Sequence, residues 1–452
     1  LVTTGNIEDD LSLLAECDWI IEAVIERLDI KQSLYQKIDA VRKPQAVVSS
    51  NTSTIPLGHL VDGMSQGFKE HFLITHFFNP PRYMRLLEII SGEHTEAEVA
   101  DSIGDFCDRK LGKGVVTCKD TPGFIGNRIG VYWIQCAVLD AIDLGISVEQ
   151  ADAVLSRPVG IPKTGVFALN DLIGIDLMPH ILDSMSATLP EGDAFHAVAT
   201  VPPLIEKMIA DGYTGRKGKG GFYRLNREGG KKIKEALDLK TGEYHAASKV
   251  NLESVKAARS GLTELLEHED LGGQYAWRVL SKLLSYSASL VPEISDDLYG
   301  VDEAMRLGYG WKYGPFELID QLGPAWFAEK LRAADMPVPA LLEAVGEHTF
   351  YRVDENGTLQ YFAVEGVYQN VPRADGVLLL SDIKRSSKPL MKNASASLWD
   401  VGDGVACLEF TSKMNAMDSD IMQMITKTIE WIPANNFRAL VIHNEGSNFS
   451  VG

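Results

Sequence analysis

The first 118 residues alternate between short apolar runs and stretches with helical spacing. Runs of strand length occur at 19–24, 46–50, 72–78 and 86–90. Between the first two runs, apolar residues separated by charged ones recur at helical intervals, namely Ile25, Leu28, Leu34 and Ile38. This spacing predicts a surface helix that packs on a sheet. Strands that alternate with helices predict an α/β domain with a largely parallel, doubly wound sheet.

From Asp120 onwards the pattern becomes helical. Apolar residues recur every four positions from Ile125 to Ala141, and the segments 148–155 and 168–182 have similar spacing. We therefore expect a mostly α-helical domain that ends near residue 225. The segment 226–274 is rich in charge and has helical spacing only at 250–266, so it is predicted to be a connector with helices.

The chain contains an internal repeat. Residues 135–176 resemble residues 280–323, and both copies close on a Phe followed by a Leu or Ile, an Asp and a Gly. Two copies of a small helical unit are expected to pack together, because each can bury the apolar face of the other. The aromatic residues of the second copy are predicted to be packing residues before they are ligand contacts; they are Trp277, Trp311, Tyr313 and Trp326.

The last part of the chain predicts the start of another α/β unit. Residues 371–395 contain Pro, Gly and Ser at close intervals and are predicted to be a linker. Beyond them, 404–410 and 438–443 have the pattern of strands on either side of a helix at 418–431.

Charge and cysteine content exclude several classes of protein. The chain has 43 Lys and Arg against 62 Asp and Glu, a net charge of −19, which argues against a nucleic-acid surface and against docking on anionic membranes. An anionic ligand would therefore need a local basic patch. Five scattered cysteines without a C-x-x-C pair suggest neither a disulfide framework nor a zinc site. With no apolar run of membrane-spanning length, these features predict a cytoplasmic protein without a membrane span.

Four short motifs carry the candidate chemistry. They are "SSNTS" at 49–53, "THFFNP" at 75–80, "LLEII" at 86–90 and "KDTPGFIGNR" at 119–128. Each lies at a predicted strand end or helix start. In a doubly wound sheet, ligands bind outside the carboxyl ends of the strands, where such loops converge. A hydroxyl, an imidazole, a carboxylate and an amide would then meet in one crevice.

His76 and Glu88 are the candidate general base. Their separation fits a strand, a turn and a returning strand, which would bring the carboxylate beside the imidazole. The carboxylate would fix the tautomer of the ring and stabilise the imidazolium formed on proton uptake. Ser53 and Asn127 would donate hydrogen bonds to a hydroxyl or carbonyl oxygen. The alternative is an interior histidine paired with a carboxylate for structural reasons only.

Together the motifs resemble those of the 3-hydroxyacyl-CoA dehydrogenase family, whose members carry an S-N-T-S stretch, an H-F-F-N-P stretch, a downstream Glu and a D-T-P-G-F-x-x-N-R helix start. The resemblance covers about residues 1–225. It places four residues on the catalytic positions of the family: Ser53, His76, Glu88 and Asn127. It places five residues on positions that line the NAD cofactor or the substrate: Glu26, Lys31, Asn51, Ser53 and Asn79.

The resemblance implies oxidation of an (S)-3-hydroxyacyl-CoA to a 3-ketoacyl-CoA, a step of fatty-acid β-oxidation. NAD⁺ would accept hydride, His76 would take the hydroxyl proton and Ser53 would hold the reacting oxygen. Arg82 and Arg85 follow the H-F-F-N-P turn and are a candidate patch for CoA phosphates. Otherwise they belong to a solvated loop.

One family feature is missing from these residues. Members begin with a strand and a G-x-G-x-x-G turn that binds the pyrophosphate, together with an acidic ribose ligand. The glycine-rich stretches 215–221 and 308–314 neither follow a strand of a βαβ unit nor open a helix. Both ends of the sequence look cut. We therefore expect this chain alone to bind NAD poorly and to be inactive.

Residues 401–452 resemble the opening of enoyl-CoA hydratases, including an N-A-M turn at 415–417. No catalytic carboxylate of that family lies within the matched segment. The order of segments resembles bacterial fused enzymes with a C-terminal hydratase. The implied fold class is an α/β partial Rossmann-type domain, two related all-α dehydrogenase C-terminal domains and the start of a crotonase-like α/β domain. Predicted boundaries are 1–118, 119–225, 226–370, a linker at 371–395, and 396–452.

Two other functions remain open at this point. One is a related NAD(P)-dependent dehydrogenase of small 3-hydroxy acids, which the pairing of His76 with Glu88 argues against. The other is a helical scaffold with a vestigial dehydrogenase site that binds a partner such as a thiolase. Intact Ser53, His76, Glu88 and Asn127 argue against the scaffold. Acyl chain length and any homo-oligomer are left open by the sequence.

Overall fold

The computed structural model describes residues 2–227, 230, 232–446 and 448–452. The contacts divide the chain into two compact units. The first runs to Phe350 and includes Ala363–Gly366, and the second comprises Tyr351–Phe362 and Val367–Gly452.

A five-stranded sheet begins the first unit, with the strands in the order β1-β2-β3-β4-β5. They are β1 (Trp19–Glu22), β2 (Val47–Ser50), β3 (Phe72–Phe77), β4 (Leu86–Ser91) and β5 (Gly114–Cys118). Neighbouring strands are parallel except β3 and β4, which are antiparallel. The prediction of a largely parallel sheet is confirmed, and the one antiparallel pair is the return predicted between His76 and Glu88.

Helices cover both faces of this sheet. They are α1 (Leu28–Asp39), α2 (Leu57–Leu60), α3 (Gln66–Glu70) and α4 (Ala97–Leu111). On one face α4 packs Val99 and Ile103 on Leu73 and other strand residues. The residue before Leu73 on β3, Phe72, points to the opposite face. There its ring centroid lies 5.2 Å from that of Tyr35 on α1.

The predicted first helix was partly wrong. Helix α1 begins three residues after Ile25, and Ile25 itself is 64% exposed. The buried stripe of the helix is instead Lys31, Tyr35 and Ile38. A buried lysine is not visible as part of an apolar pattern, so the periodicity misplaced the packed face.

An all-helical region follows β5. It contains α5 (Gly126–Leu144), α6 (Val148–Val154), α7 (Phe167–Ile173), α8 (Leu177–Thr188) and α9 (Pro203–Ala210). The single helix predicted at 168–182 is two helices, because Gly174 between them adopts φ 110°, outside the helical range.

The connector contains a small sheet that the sequence did not predict. Three antiparallel strands, β6 (Tyr223–Asn226), β7 (Ile233–Leu237) and β8 (Tyr244–Ala246), precede α10 (Glu253–Ala257) and α11 (Leu262–Leu266). These strands are short, largely exposed and rich in charge. They therefore lack the apolar alternation by which a half-buried strand is recognised.

The second helical copy packs on the first. It contains α12 (Leu271–Ser289), α13 (Leu298–Tyr309), α14 (Pro315–Leu322), α15 (Pro324–Ala333) and α16 (Ala340–Val345). Helix α12 lies against α5, while α5 also contacts α13 and α12 contacts α6. The α5–α13 and α12–α6 contacts are equivalent to each other, which indicates an approximate two-fold relation between the copies. The Tyr275 hydroxyl donates to the carbonyl oxygen of Ala137 at 2.8 Å, and the predicted mutual burial is confirmed.

Both copies are organised by the same buried aspartate. Asp152 of α6 accepts hydrogen bonds from the amides of Phe167 and Ala168, at 2.7 and 3.2 Å, and so caps α7. Asp302 of α13 accepts from the amides of Phe316 and Glu317, at 2.9 and 3.2 Å, and so caps α14. The repeated Asp therefore stabilises the turn between equivalent helices in each copy.

The second unit has two sheets. The first is antiparallel and contains β9 (Tyr351–Val353), β10 (Leu359–Phe362) and β11 (Tyr368–Asn370). Helix α17 (Leu380–Ser386) follows. The second sheet contains β12 (Met391–Lys392), β13 (Ala396–Asp400), β14 (Val405–Phe410) and β15 (Ala439–Ile442), with α18 (Ser419–Ala434) before β15. The predicted linker thus carries α17 and β12, and its high Ser and Pro content hid them.

The described residues also bear on cysteine pairing, metal binding and membrane crossing. All five cysteines are free thiols. Among the described residues, no group of His, Cys, Asp and Glu is arranged to hold a metal ion. Within the same residues, no helix is long and apolar enough to cross a membrane.

Replacing Asp152 by Ala should destabilise the first unit. Two buried amides and the Tyr223 hydroxyl, which donates to Asp152 at 2.9 Å, would lose their acceptor. We expect the free energy of unfolding in urea to fall by about 2 to 4 kcal/mol. Asp183→Ala, on the exposed face of α8, is the matched control and should change it by less than about 0.5 kcal/mol. Equal losses in the two variants would contradict the capping role.

Candidate active site

His76 and Glu88 form a buried hydrogen-bonded pair. Strand β3 places His76 directly opposite Glu88 on β4, and His76 Nδ1 lies 2.7 Å from Glu88 Oε2. The side chains are 6% and 0% exposed. An ionised carboxylate only accepts hydrogen bonds, so Nδ1 carries the proton and donates it. The second ring nitrogen, Nε2, is then left as an acceptor that can take a proton.

The other oxygen of Glu88 fixes the start of α5. Glu88 Oε1 accepts hydrogen bonds from the amides of Ile125 and Gly126, at 3.0 and 2.7 Å. Helix α5 has no capping side chain of its own at this end, so Glu88 supplies the missing acceptor. The positive end of the helix favours the ionised carboxylate. One carboxylate therefore joins the imidazole to the helix that carries Asn127.

Aromatic rings enclose the imidazole. The ring centroids of Phe78 and Phe124 lie 4.7 and 5.6 Å from that of His76. Gly126 allows this packing, since a Cβ there would lie 2.5 Å from the Phe78 ring. Tyr309 of the second helical copy packs against Phe78 from behind, at 6.3 Å between centroids. Sequence reasoning missed all three rings, although Phe78 and Phe124 lie inside the motifs that it used.

Glu26 organises the loop after β2. Its Oε1 accepts hydrogen bonds from the Thr52 hydroxyl at 2.6 Å, the Ser53 amide at 2.8 Å and the Thr54 amide at 3.1 Å. Burial raises the pKa of Glu26, but the bonds from Thr52 and Ser53 and the charge of Lys31 outweigh it and hold the pKa below its ordinary value. Glu26 therefore stays ionised at neutral pH and shapes the S-N-T-S loop.

The same loop is tied to β3. Asn51 Oδ1 accepts from the amide of Phe77, the residue after His76, at 2.9 Å. Ser53 is partly exposed, and within the described part of the chain no hydrogen bond joins its hydroxyl to His76. Asn127 is partly exposed at the start of α5. The structure thus joins His76, Glu88 and the α5 start directly, and brings the S-N-T-S loop to them through Asn51.

Lys31 lies beneath the loop. Its Nζ is 2.8 Å from Glu22 Oε1 and 3.3 Å from Glu26 Oε2, and its side chain is 1% exposed. Glu22 also accepts from the hydroxyls of Tyr35 at 2.6 Å and Ser50 at 2.7 Å. Lys31 therefore acts on the loop through Glu26, and its ammonium is held by carboxylates. No sequence pattern indicated Glu22, which lies at the centre of this network.

Asn79, Arg82 and Arg85 lie on the turn between β3 and β4. All three are exposed. The turn is held from below by Lys113, whose Nζ donates to the carbonyl oxygen of Met84 at 2.8 Å. Arg85 Nε contacts the carbonyl oxygen of Gly112 at 3.4 Å. No carboxylate among the described residues pairs with either arginine, so both can meet an anion from solvent.

Replacing Glu26 by Ala should loosen the S-N-T-S loop. The amides of Ser53 and Thr54 would lose their shared acceptor, and we expect their hydrogen exchange to accelerate by about tenfold or more. The Asn51 amide donates instead to the carbonyl oxygen of Glu22 at 2.8 Å and is the internal control. Equal acceleration at all three amides would indicate general unfolding and not the loss of one acceptor.

Family models match most of the chain. Residues 1–121 match the NAD binding domain of 3-hydroxyacyl-CoA dehydrogenase. The C-terminal domain of the same family matches twice, at 123–225 and at 273–369. The second match confirms that the helical domain is duplicated.

Individual relatives agree with the family models. A protein of Bacillus subtilis named as a probable 3-hydroxyacyl-CoA dehydrogenase is 40% identical over all of this chain and 57% of its own length. A protein of Rickettsia felis named as a fatty acid oxidation complex trifunctional enzyme is 35% identical over all of this chain and 59% of its own length. The chain thus spans somewhat over half the length of these relatives.

A solved structure shows the same fold. The crystal structure of 3-hydroxybutyryl-CoA dehydrogenase from Escherichia coli K12 covers 74% of this chain and 82% of its own, with a TM-score of 0.56 and 23% identity. The duplicated helical match, the NAD-binding match and the motifs around His76 agree: the chain belongs to the 3-hydroxyacyl-CoA dehydrogenase family.

Proposed function

We propose that this chain carries the proton-transfer half of an NAD-dependent oxidation of (S)-3-hydroxyacyl-CoA to 3-ketoacyl-CoA, a step of fatty-acid β-oxidation. The observation that carries the proposal is the buried pair of His76 and Glu88, 2.7 Å apart, at the start of helix α5. An imidazole with a fixed tautomer and a free acceptor nitrogen is the group that removes a proton from a hydroxyl.

In the proposed reaction His76 Nε2 takes the proton of the C3 hydroxyl group. The imidazolium that forms is stabilised by Glu88, whose charge is already held by the amides of Ile125 and Gly126. Glu88 therefore needs no rearrangement when the charge appears on the ring, and this preorganisation lowers the cost of proton transfer. Phe78 and Phe124 exclude water from the ring and strengthen that interaction.

Ser53 and Asn127 are the proposed donors to the reacting oxygen. Both side chains are partly exposed, and no hydrogen bond to another described side chain occupies either. Their donors are therefore available to a substrate. As the hydroxyl becomes a carbonyl, the oxygen carries transient negative charge that such donors stabilise.

The residues at the carboxyl end of β2 suit part of an NAD site. Asn51 and Ser53 lie in a polar loop there, and Glu26, which follows β1, holds that loop by accepting hydrogen bonds from Thr52 and Ser53. This arrangement suits the nicotinamide end of the cofactor. When bound, NAD⁺ supplies the hydride acceptor. Among the described residues no glycine-rich turn joins a strand to a helix N-terminus for the pyrophosphate. These residues fit one end of the cofactor, so weak NAD binding by this chain alone is expected.

The turn between β3 and β4 supports an acyl-CoA substrate. Arg82 and Arg85 are exposed cations beside the site, although the chain as a whole is strongly acidic. They are the proposed contacts for the phosphates of the CoA portion. The acyl chain would then extend into the site towards His76.

The test is oxidation of NADH with acetoacetyl-CoA. We would compare this chain with a version extended at its amino end by a βαβ unit that carries a G-x-G-x-x-G turn. The extended protein should be active, and His76→Ala in it should lower kcat by ~10² to 10⁴, the range for loss of a general acid/base. His59→Ala, at an exposed histidine, is the matched control and should retain the full rate.

Ser53→Ala in the extended protein should lower kcat by ~10-fold to 10²-fold with a smaller change in KM, because its hydrogen bond strengthens in the transition state. An extended protein that folds but is inactive on every 3-ketoacyl-CoA would contradict the proposal. The alternative function, a helical scaffold that binds a partner such as a thiolase, would then be favoured.

A hydratase activity is the second candidate, for a longer protein that contains this chain. It is supported by the resemblance of 401–452 to enoyl-CoA hydratases and by the trifunctional name of the Rickettsia felis relative. In the second unit, β13, β14 and β15 form one sheet on which α18 packs Ile421 and Met424. This chain alone should not hydrate crotonyl-CoA, since the acid/base carboxylates of that family lie beyond the matched segment. Hydration of crotonyl-CoA by this chain would contradict the expectation that those carboxylates lie outside the matched segment.

A further inference from the structure

A large cleft lies on the first helical copy, away from His76. Its volume is about 1020 Å³, and it is lined by α6, by the segment 156–168 and by the connector residues 247–259. No residue of the candidate dehydrogenase site lines it. Its size is that of a site for a cofactor-sized molecule.

The cleft concentrates positive charge in a strongly acidic chain. Five cations line it: Arg157, Lys163, Lys234, Lys249 and Arg259. Lys234 lies 3.8 Å from the centroid of the Tyr223 ring. The other four are exposed and form no ion pair with any described carboxylate. In contrast, Lys282 of the second copy is paired with Asp140 at 2.7 Å. Four unpaired cations around one cleft produce a field that attracts anions.

The two acidic residues of the cleft do not cancel this field. Asp152 is buried and accepts from two amides and the Tyr223 hydroxyl, and burial raises its pKa to about 7. Glu149 is also buried, and its Oε1 accepts from the Ser248 amide at 3.1 Å. Both carboxylates are buried in the fold, whereas the four cations are exposed to solvent.

The two helical copies use equivalent positions differently at the cleft. Arg157 lies five residues after Asp152, and Leu307 lies five residues after the equivalent Asp302. In the second copy Leu307 lies on helix α13 and packs on the sheet, since a Cβ on Gly114 would lie 2.3 Å from its side chain. In the first copy the equivalent residue, Arg157, follows α6 and lines the cleft. The apolar contact residue of one copy is thus replaced by a cation in the other.

We propose that this cleft binds the diphosphate of an adenine nucleotide, either free or within coenzyme A. Arg157 and Lys163 from one segment, and Lys249 and Arg259 from the other, supply the charges for two adjacent phosphates. The cleft is also lined by Pro158 and by small aliphatic residues, which suit the apolar faces of a base. The cleft is separate from the His76 site and independent of the proposed dehydrogenase function.

The test is calorimetric titration of this chain with ADP and, separately, with CoA. We expect a dissociation constant on the order of 100 µM at low salt, weakened several-fold at about 0.25 M salt. The double variant Arg157→Gln/Lys163→Gln should weaken binding by about tenfold or more. The matched control is Lys37→Gln/Lys110→Gln, which removes two exposed cations that do not line this cleft and should leave binding unchanged.

A second double variant, Arg82→Gln/Arg85→Gln, separates this cleft from the proposed dehydrogenase site. Binding that is lost in this variant and retained in Arg157→Gln/Lys163→Gln would overturn the cleft and leave the proposed function standing. Binding of both ligands identifies the shared diphosphate. Binding of CoA alone identifies CoA as the source, and binding of ADP alone identifies the free nucleotide. No binding of either ligand, or equal loss in the control, would overturn the proposal.

Discussion

The carboxylate of Glu88 connects the parts of the first unit that any chemistry at His76 requires. One oxygen accepts from His76 on the neighbouring strand, and the other accepts from the first amides of α5. A fully buried carboxylate is costly unless its lone pairs are satisfied, and here imidazole and helix amides satisfy them together. The position of the ring is therefore coupled to the position of the helical domain, because moving either would leave charge unpaired.

The duplication extends this coupling. In a family with one helical domain, the surfaces that α12 and α13 cover would have to be buried by another chain or left exposed. Here the second copy buries them within the same chain, and Tyr309 reaches the rings behind His76. Gly130 permits that approach, since a Cβ there would lie 1.9 Å from the Tyr309 hydroxyl. The second copy therefore supports the site mechanically even though it carries none of the motifs.

The sequence predicted the sheet, the helical duplication and the contact of His76 with Glu88, because these features follow from strand alternation, repeats and antiparallel spacing. It could not predict the small β6–β8 sheet, whose exposed strands lack an apolar pattern. It also could not reveal that backbone amides of Ile125 and Gly126 bind Glu88, since main-chain donors leave no trace in residue identity. The catalytic roles of Ser53 and Asn127 remain predictions, because no described contact fixes what they bind.

The two helical copies show how one local fold can serve two purposes. Asp152 and Asp302 cap equivalent helices in the same way, so in each copy a buried carboxylate holds the start of the next helix. The side chains that precede the capped helix can then differ between the copies. In the second copy Leu307 packs on the five-stranded sheet, two residues before Tyr309, whose ring lies behind His76. In the first copy the equivalent Arg157 is exposed and lines the cleft, so its charge is available to a ligand from solvent.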